Sequence, residues 1–152
     1  MLITLIPTIT AGLYTANDCV GGKLNLTGTD RITGLSFARV SLLQSFTIID
    51  LAMQNAAMSI YLFGSDPVTG VYTNDSELDI DDTDAALCIG CFNVLTGDYL
   101  SVKDNSVACV SNLGILCRNM TWETLYALMK TTGTPTYAST SDLKLVFGFR
   151  QD

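Results

Sequence analysis

The chain has no histidine. That removes the commonest general base, the Ser-His and Cys-His nucleophile pairs, and the commonest metal ligand. Charge is scarce too: 15% of residues are charged, against a typical ~25%. Cations are the scarcer sign. Eight basic residues lie singly along the chain, no two adjacent, against 15 acids and a net charge of −7. A nucleic-acid binder needs clustered Lys and Arg to neutralise phosphates, so direct DNA or RNA binding is not expected. Long apolar runs are missing as well. None approaches the ~20 residues of a membrane span. The apolar start from Met1 to Ile6 has no basic stretch ahead of it and is interrupted by Pro7, unlike a secretory signal. These absences point to a soluble protein made in a cytoplasm, with no membrane partner.

What the chain does have is apolar and β-forming. Hydrophobic residues make up 48%, and 19 threonines and 11 serines fill the place of the missing charges. A Thr-, Val-, Ile- and Leu-rich chain of low charge has the composition of a β protein. Its 152 residues suit one domain over 1–152. A domain of this size buries about 68–70% of its unfolded surface, so its core needs no disulfide or metal.

Alternation of polar and apolar residues places the strands. Strands are expected at 2–6, 23–27, 39–50, 58–63, 88–95, 99–102, 106–110, 114–118 and 143–149. In 39–50, Val40, Leu42 and Ile48 share one parity, and Leu43, Ser45, Thr47 and Ile49 the other. Gly28-Thr29-Asp30 and Gly97-Asp98 read as turns. Asp81 or Asp82 is placed to cap one helical turn through Ala85-Ala86-Leu87. Residues 122–132 carry helix formers but also Trp122, Tyr126 and a terminal Thr pair; their strand-like surroundings favour strand. In the last strand Leu143, Leu145, Phe147 and Phe149 share one face, which should be core. The opposite face carries Lys144, Val146 and Gly148, and is expected to be wetter or to meet a partner. Short strands with turn signals about every 8–12 residues imply an all-β antiparallel sandwich of about eight strands, with at most one short helical turn.

No catalytic, metal-binding or cofactor-binding residue is assigned, and an enzyme is not expected. The five cysteines, Cys19, Cys88, Cys91, Cys109 and Cys117, are an odd number, which argues against a fully paired disulfide framework. Cys88 and Cys91 have C-x-x-C spacing, but no second pair at that spacing and no histidine complete a zinc set. On a strand they should point to opposite faces. Asp75, Glu77, Asp79, Asp81, Asp82 and Asp84 crowd six acids into ten residues. The EF-hand pattern of glycine and closing glutamate is missing there, so a solvated loop or charged edge is the expectation. Gly21-Gly22-Lys23 lacks the earlier glycine of a P-loop. Asn25, Asn74 and Asn119 each open a glycosylation sequon, a short pattern with no other sign of secretion beside it.

Several stretches taken in order resemble one family. Tyr14-x-Ala-x-Asp18-x-Val20-Gly-Gly22-x-Leu24 comes first. Leu62-Phe63 follows, ahead of Ser65-Asp66-Pro67. Leu125-Tyr126, then Gly133-Thr-Pro135-Thr-Tyr137-Ala138-Ser139 and Asp142-Leu143, lead to Leu145-x-x-Gly148-x-x-Gln151-Asp152. This order resembles the capsid cement, or decoration, proteins of tailed phages. Cys19, where that family carries an aliphatic residue, and Phe149-Arg150 depart from it. The resemblance implies a jelly-roll fold and a place on the outer capsid surface of the virion. It implies the major capsid protein as partner and carries no catalytic residues. A homo-oligomer is expected, a dimer before a trimer, with the capsid and oligomer interface residues unknown. The other function considered is a carbohydrate-binding or host-attachment module, a head fibre or tail component. In that reading Trp122, Tyr72, Tyr99 or Tyr137 could stack on sugar rings.

Overall fold

The computed structural model describes residues 1–27, 40–118 and 124–151. The turn expected at 28–30, Arg39, the sequon at Asn119 and Trp122 lie outside these residues. Nine strands follow in order: β1 (Leu2–Leu5), β2 (Leu24–Thr27), β3 (Val40–Asp50), β4 (Met58–Phe63), β5 (Cys88–Val94), β6 (Tyr99–Val102), β7 (Asn105–Arg118), β8 (Thr124–Thr131) and β9 (Leu143–Gln151). One helical turn, α1 (Asp82–Ala85), precedes β5, and a 3-10 turn at Thr96–Asp98 precedes β6. Asp81 caps α1 by accepting from Thr83 N at 2.8 Å, as expected, although the turn begins earlier than Ala85. Among the described residues no helix is long and apolar enough to cross a membrane.

The strands form two antiparallel sheets, β1-β9-β3-β7-β6 and β2-β8-β4-β5. Without β6, which is a hairpin addition to β7, the pairing is nested. β1 pairs with β9, β2 with β8, β3 with β7 and β4 with β5. The chain thus behaves as one long hairpin rolled into two layers, which is a jelly roll. The expected all-β antiparallel sandwich of about eight strands is what the chain forms, with nine strands among the described residues. Residues 124–131 are strand, not helix.

Between the sheets lies one hydrophobic cluster. Phe46 sits at its middle, 4.7 Å from Phe147 and 5.2 Å from Phe92 between ring centroids. Leu143, Leu145, Phe147 and Phe149 are all buried and Lys144 is exposed, so the parity read for β9 holds. That of β3 does not. Register slips between Leu43 and Ser45 against both β7 and β9. The bulge at Gln44 brings Leu43, Phe46 and Ile48 together in the core and leaves Leu42, Thr47 and Ile49 only half-buried. A bulge inserts a residue that the partner does not match, so alternation changes phase across it. Gly148 sits at this bulge, where a Cβ would run into Ser45 Oγ.

Two further expectations are corrected by bulges. The strands expected at 106–110 and 114–118 are one strand, β7. Three residues, 112–114, stand opposite Gln44 alone, with Asn112 and Gly114 at φ 58° and 64°. Asn and Gly tolerate that left-handed conformation, so the ladder resumes beyond them. In β5 the register shifts between its pairs with Leu62 and Phe63, so that Cys88 pairs with Phe63 and Cys91 with Tyr61. Those are positions of one parity on β4. The opposite-face expectation for the two thiols fails because it assumed unbroken alternation.

Candidate functional site

The acidic segment is the densest charge feature, and its carboxylates do not converge. Asp84 is buried and accepts from the amides of Val68 (3.2 Å), Thr69 (2.6 Å) and Gly70 (3.0 Å), and from the Tyr72 hydroxyl. Burial opposes its charge, but the bond from Tyr72 and the three amides outweigh that and hold the carboxyl at about 2. Burial first, and Asp84 second, push the Tyr72 phenol upward. Asp75, Glu77, Asp79 and Asp82 are exposed, while Glu77 and Asp79 bridge through their backbones to Asp18 and Val71. Among the described residues no three His, Cys, Asp or Glu side chains gather as a metal site would need.

Other carboxylates do the same work as Asp84. Asp18 accepts from Thr15 N at 2.6 Å, Asp50 from Ala52 N at 3.0 Å and Asn55 N at 2.9 Å. Asp98 accepts from Leu95 N at 2.8 Å and Asp142 from Ser139 N at 2.8 Å. Short acidic side chains closing loops onto backbone amides is ordinary turn chemistry. Much of the negative charge therefore serves the loops of the sandwich. Asp50, fully buried, is pushed upward by desolvation despite its amide bonds.

All five thiols are free. Cys19 and Cys117 are buried, and desolvation raises each to about 11; Cys91 and Cys109 are exposed. Of the rings considered for sugar stacking, Tyr99 and Tyr137 are in the core, and Tyr99 Oη donates to Ala56 O at 2.9 Å. Tyr72 is tied to Asp84. A groove of about 400 Å³ opens between Gln54–Ala57, Thr96 and residues 132–135. It is lined without aromatics or charge, and Gln54 and Thr132 already spend polar atoms on Thr136 N and Ala57 O.

The feature that stands apart is the outward face of the five-stranded sheet. Register places its residues in cross-strand rows. Leu100, Val107, Ile49 and Lys144 form one row; Cys109, Thr47, Val146 and Thr4 the next; Ser111, Ser45, Gly148 and Leu2 a third. Beyond the bulge Leu116, Leu42 and Arg150 form a fourth. Leu2, Leu100 and Leu116 are 73%, 75% and 61% exposed. Asp50 is the one acid on the described strands of this sheet, and it points into the core. Among the described residues of a chain of net charge −7, this sheet face thus carries Lys144, Arg150 and exposed leucines, and no carboxylate on its strands. At about 4.8 Å between strands and ~3.3 Å per residue, the face spans on the order of 400 Å², its apolar side chains interrupted by Thr4, Ser45, Thr47 and Ser111. Sequence alternation singled out only its β9 portion, Lys144, Val146 and Gly148; the other rows exist through strand pairing. No protein-family model and no curated protein matches the chain.

Proposed function

We propose that this chain is a virion structural protein, a cement or decoration protein bound to the outer capsid surface of a tailed-phage head. It stabilises contacts between major capsid subunits and is made in the host cytoplasm. The observation that carries the reading is the outward face of the five-stranded sheet, which exposes Leu2, Leu100 and Leu116, bears Lys144 and, among the described residues, has no carboxylate on its strands. Such a face docks on a protein surface that offers apolar side chains and acids. The resemblance of the Tyr14–Leu24, Leu62–Pro67 and Leu125–Asp152 motifs to cement proteins gives the direction, and the jelly-roll strand order agrees with it. The acidic remainder of the molecule suits a position outside the shell, away from packaged DNA. A ligand that binds only the assembled shell stabilises it by linkage, and repetition over a symmetric lattice adds avidity.

The test uses phage heads purified without this protein. Added wild-type protein should remain on them through sedimentation, at a copy number comparable to that of the major capsid protein, and should raise their thermal disruption temperature. Leu2→Glu with Leu116→Glu, both at exposed positions, should fold normally and be lost from the heads. Retention of that variant at the wild-type level refutes docking by this face. Attachment in tens of copies or fewer per particle would instead favour the host-attachment reading.

A further inference from the structure

We infer that β6 is a self-pairing edge: two copies of the chain join their Tyr99–Val102 strands antiparallel, about a twofold axis at Ser101, into one ten-stranded sheet. This does not depend on the docking reading above.

Among the described residues β6 is the outermost strand of its sheet and pairs with β7 alone. The hairpin joining them has a two-residue turn, Lys103-Asp104, closed by Val102 and Asn105. The closing pair of such a hairpin is hydrogen-bonded, and bonded pairs alternate along an antiparallel ladder. Leu100 and Val102 therefore spend their backbone groups on β7, and Ser101 turns its N–H and C=O to the free edge. Natural edges are blunted by a lysine, a proline or a bulge within the strand. β6 is short, at four residues, but has none of these within it. It instead exposes Leu100 to 75% and Val102 to 59% on the outward face.

The pattern about Ser101 is self-complementary. A twofold axis normal to the sheet reverses strand direction and keeps outward faces on one side. With Ser101 opposite Ser101, Leu100 of each copy stands opposite Val102 of the other. Four exposed apolar side chains meet, continuous with Val107 and Ile49 behind them in the same row. Sliding by two residues would leave Val102 opposite Asp98, and an odd slide would oppose inward and outward positions. In the favoured register the exposed Lys103 falls beside Asp98 of the other copy, and Asp104, 3.9 Å from Lys103 in its own chain, falls opposite that carboxylate. Those two carboxylates repel across the pair, offset in part by the Lys103 ammonium beside them, so the register rests on the apolar contacts. One symmetry operator makes the apolar contact twice, which an unrelated strand has no reason to do. The contact is small beside the ~1,000 Å² of a stable interface, so self-association is weak in dilute solution. It also sets the two outward sheet faces side by side.

Sedimentation equilibrium from about 10 μM to about 1 mM, a range that populates weak dimers, tests this. Wild type should shift from monomer to dimer, and Leu100→Lys with Val102→Lys should raise the dissociation constant at least tenfold while leaving thermal unfolding in place. In a Cys91→Ser, Cys109→Ser background, Ser101→Cys should cross-link under oxidation at least tenfold faster than Ser111→Cys, which sits on β7 away from the edge. A monomer throughout the range, a dimer indifferent to the lysines, or Ser101→Cys no faster than Ser111→Cys each overturns the inference.

Discussion

Phe147→Ala should be among the costliest single truncations in the molecule. Phe147 lies on β9, held between β1 and β3 through pairing with Ile3 and Phe46, and it is fully buried. Its ring tilts 59° against Phe46 at 4.7 Å, and Phe46 in turn meets Phe92 at 5.2 Å. Emptying a buried phenylalanine site costs about 3–5 kcal/mol, and the lost aromatic pair accounts for about 0.5–1.5 kcal/mol of coupling. With the sheets braced on both sides the cavity cannot collapse, so about 4 kcal/mol is the expectation. For a domain of this size that lowers the unfolding midpoint by roughly 8–16 °C. Phe92→Ala, at the half-buried end of the same triplet, should cost about half as much. A Phe46/Phe147 double-mutant cycle should return about 1 kcal/mol of coupling. Urea and thermal unfolding followed by circular dichroism measure all three. A loss under 1 kcal/mol for Phe147→Ala, or one no larger than for Phe92→Ala, would refute the placement of this ring at the core centre. Phe147→Asp should yield no soluble folded protein, whereas Lys144→Asp, on the outward face, should unfold like wild type.

Other outcomes follow from particular contacts. Asp84 is held at about 2, below the ~3.9 of an unfolded aspartate; its contribution is complete above about pH 4 and is lost as pH falls through 2. Asp84→Asn should therefore flatten the acid limb of a stability–pH curve, and an unchanged limb would contradict the assignment. Asp50 acts with opposite sign: its raised value means stability declines as pH rises from about 4 through the folded value. Gly70→Ala would drive a Cβ into the Asp79 carbonyl and, at 2.7 Å, the Tyr72 ring; a loss of about 1–3 kcal/mol is expected by urea unfolding. A disulfide reagent such as Ellman's at mildly alkaline pH should label Cys91 and Cys109 quickly, and Cys19 and Cys117 only on unfolding, because burial holds those two thiols protonated at about 11. Fast labelling of four or five thiols in folded protein would contradict their burial.

Much of the strand map is legible along the chain because it rests on local chemistry. Met58–Phe63 begins and ends where alternation begins and Gly64-Ser65 stops it. Leu143–Phe149 shows its core face directly, since no bulge interrupts β9 between Leu143 and Phe147. Asp81 announces the α1 cap by its place before the turn. What could not be read is whatever a partner strand decides. The phase change at Gln44 exists because β7 and β9 hold both sides of β3, and nothing in Leu42-Leu43-Gln44-Ser45 marks it. Residues 112–114 look like a break between two strands, and only the ladder on either side shows them to be a bulge inside one. The acidic segment reads as uniform charge, yet Asp84 differs from Asp82 because the 68–72 loop folds over it.

The same division applies to the candidate docking face. Lys144, Val146 and Gly148 stand out in the sequence as the wetter side of one strand. Their assembly with Leu2, Leu100 and Leu116 into one sheet face depends on residues more than a hundred positions apart being set side by side. Strand propensity and most strand boundaries are legible along the chain, because these depend on each residue and its near neighbours. The tertiary structure alone decided which strands pair, where alternation changes phase and which surface is left uncovered. Those follow from long-range hydrogen-bond register, which no local pattern encodes.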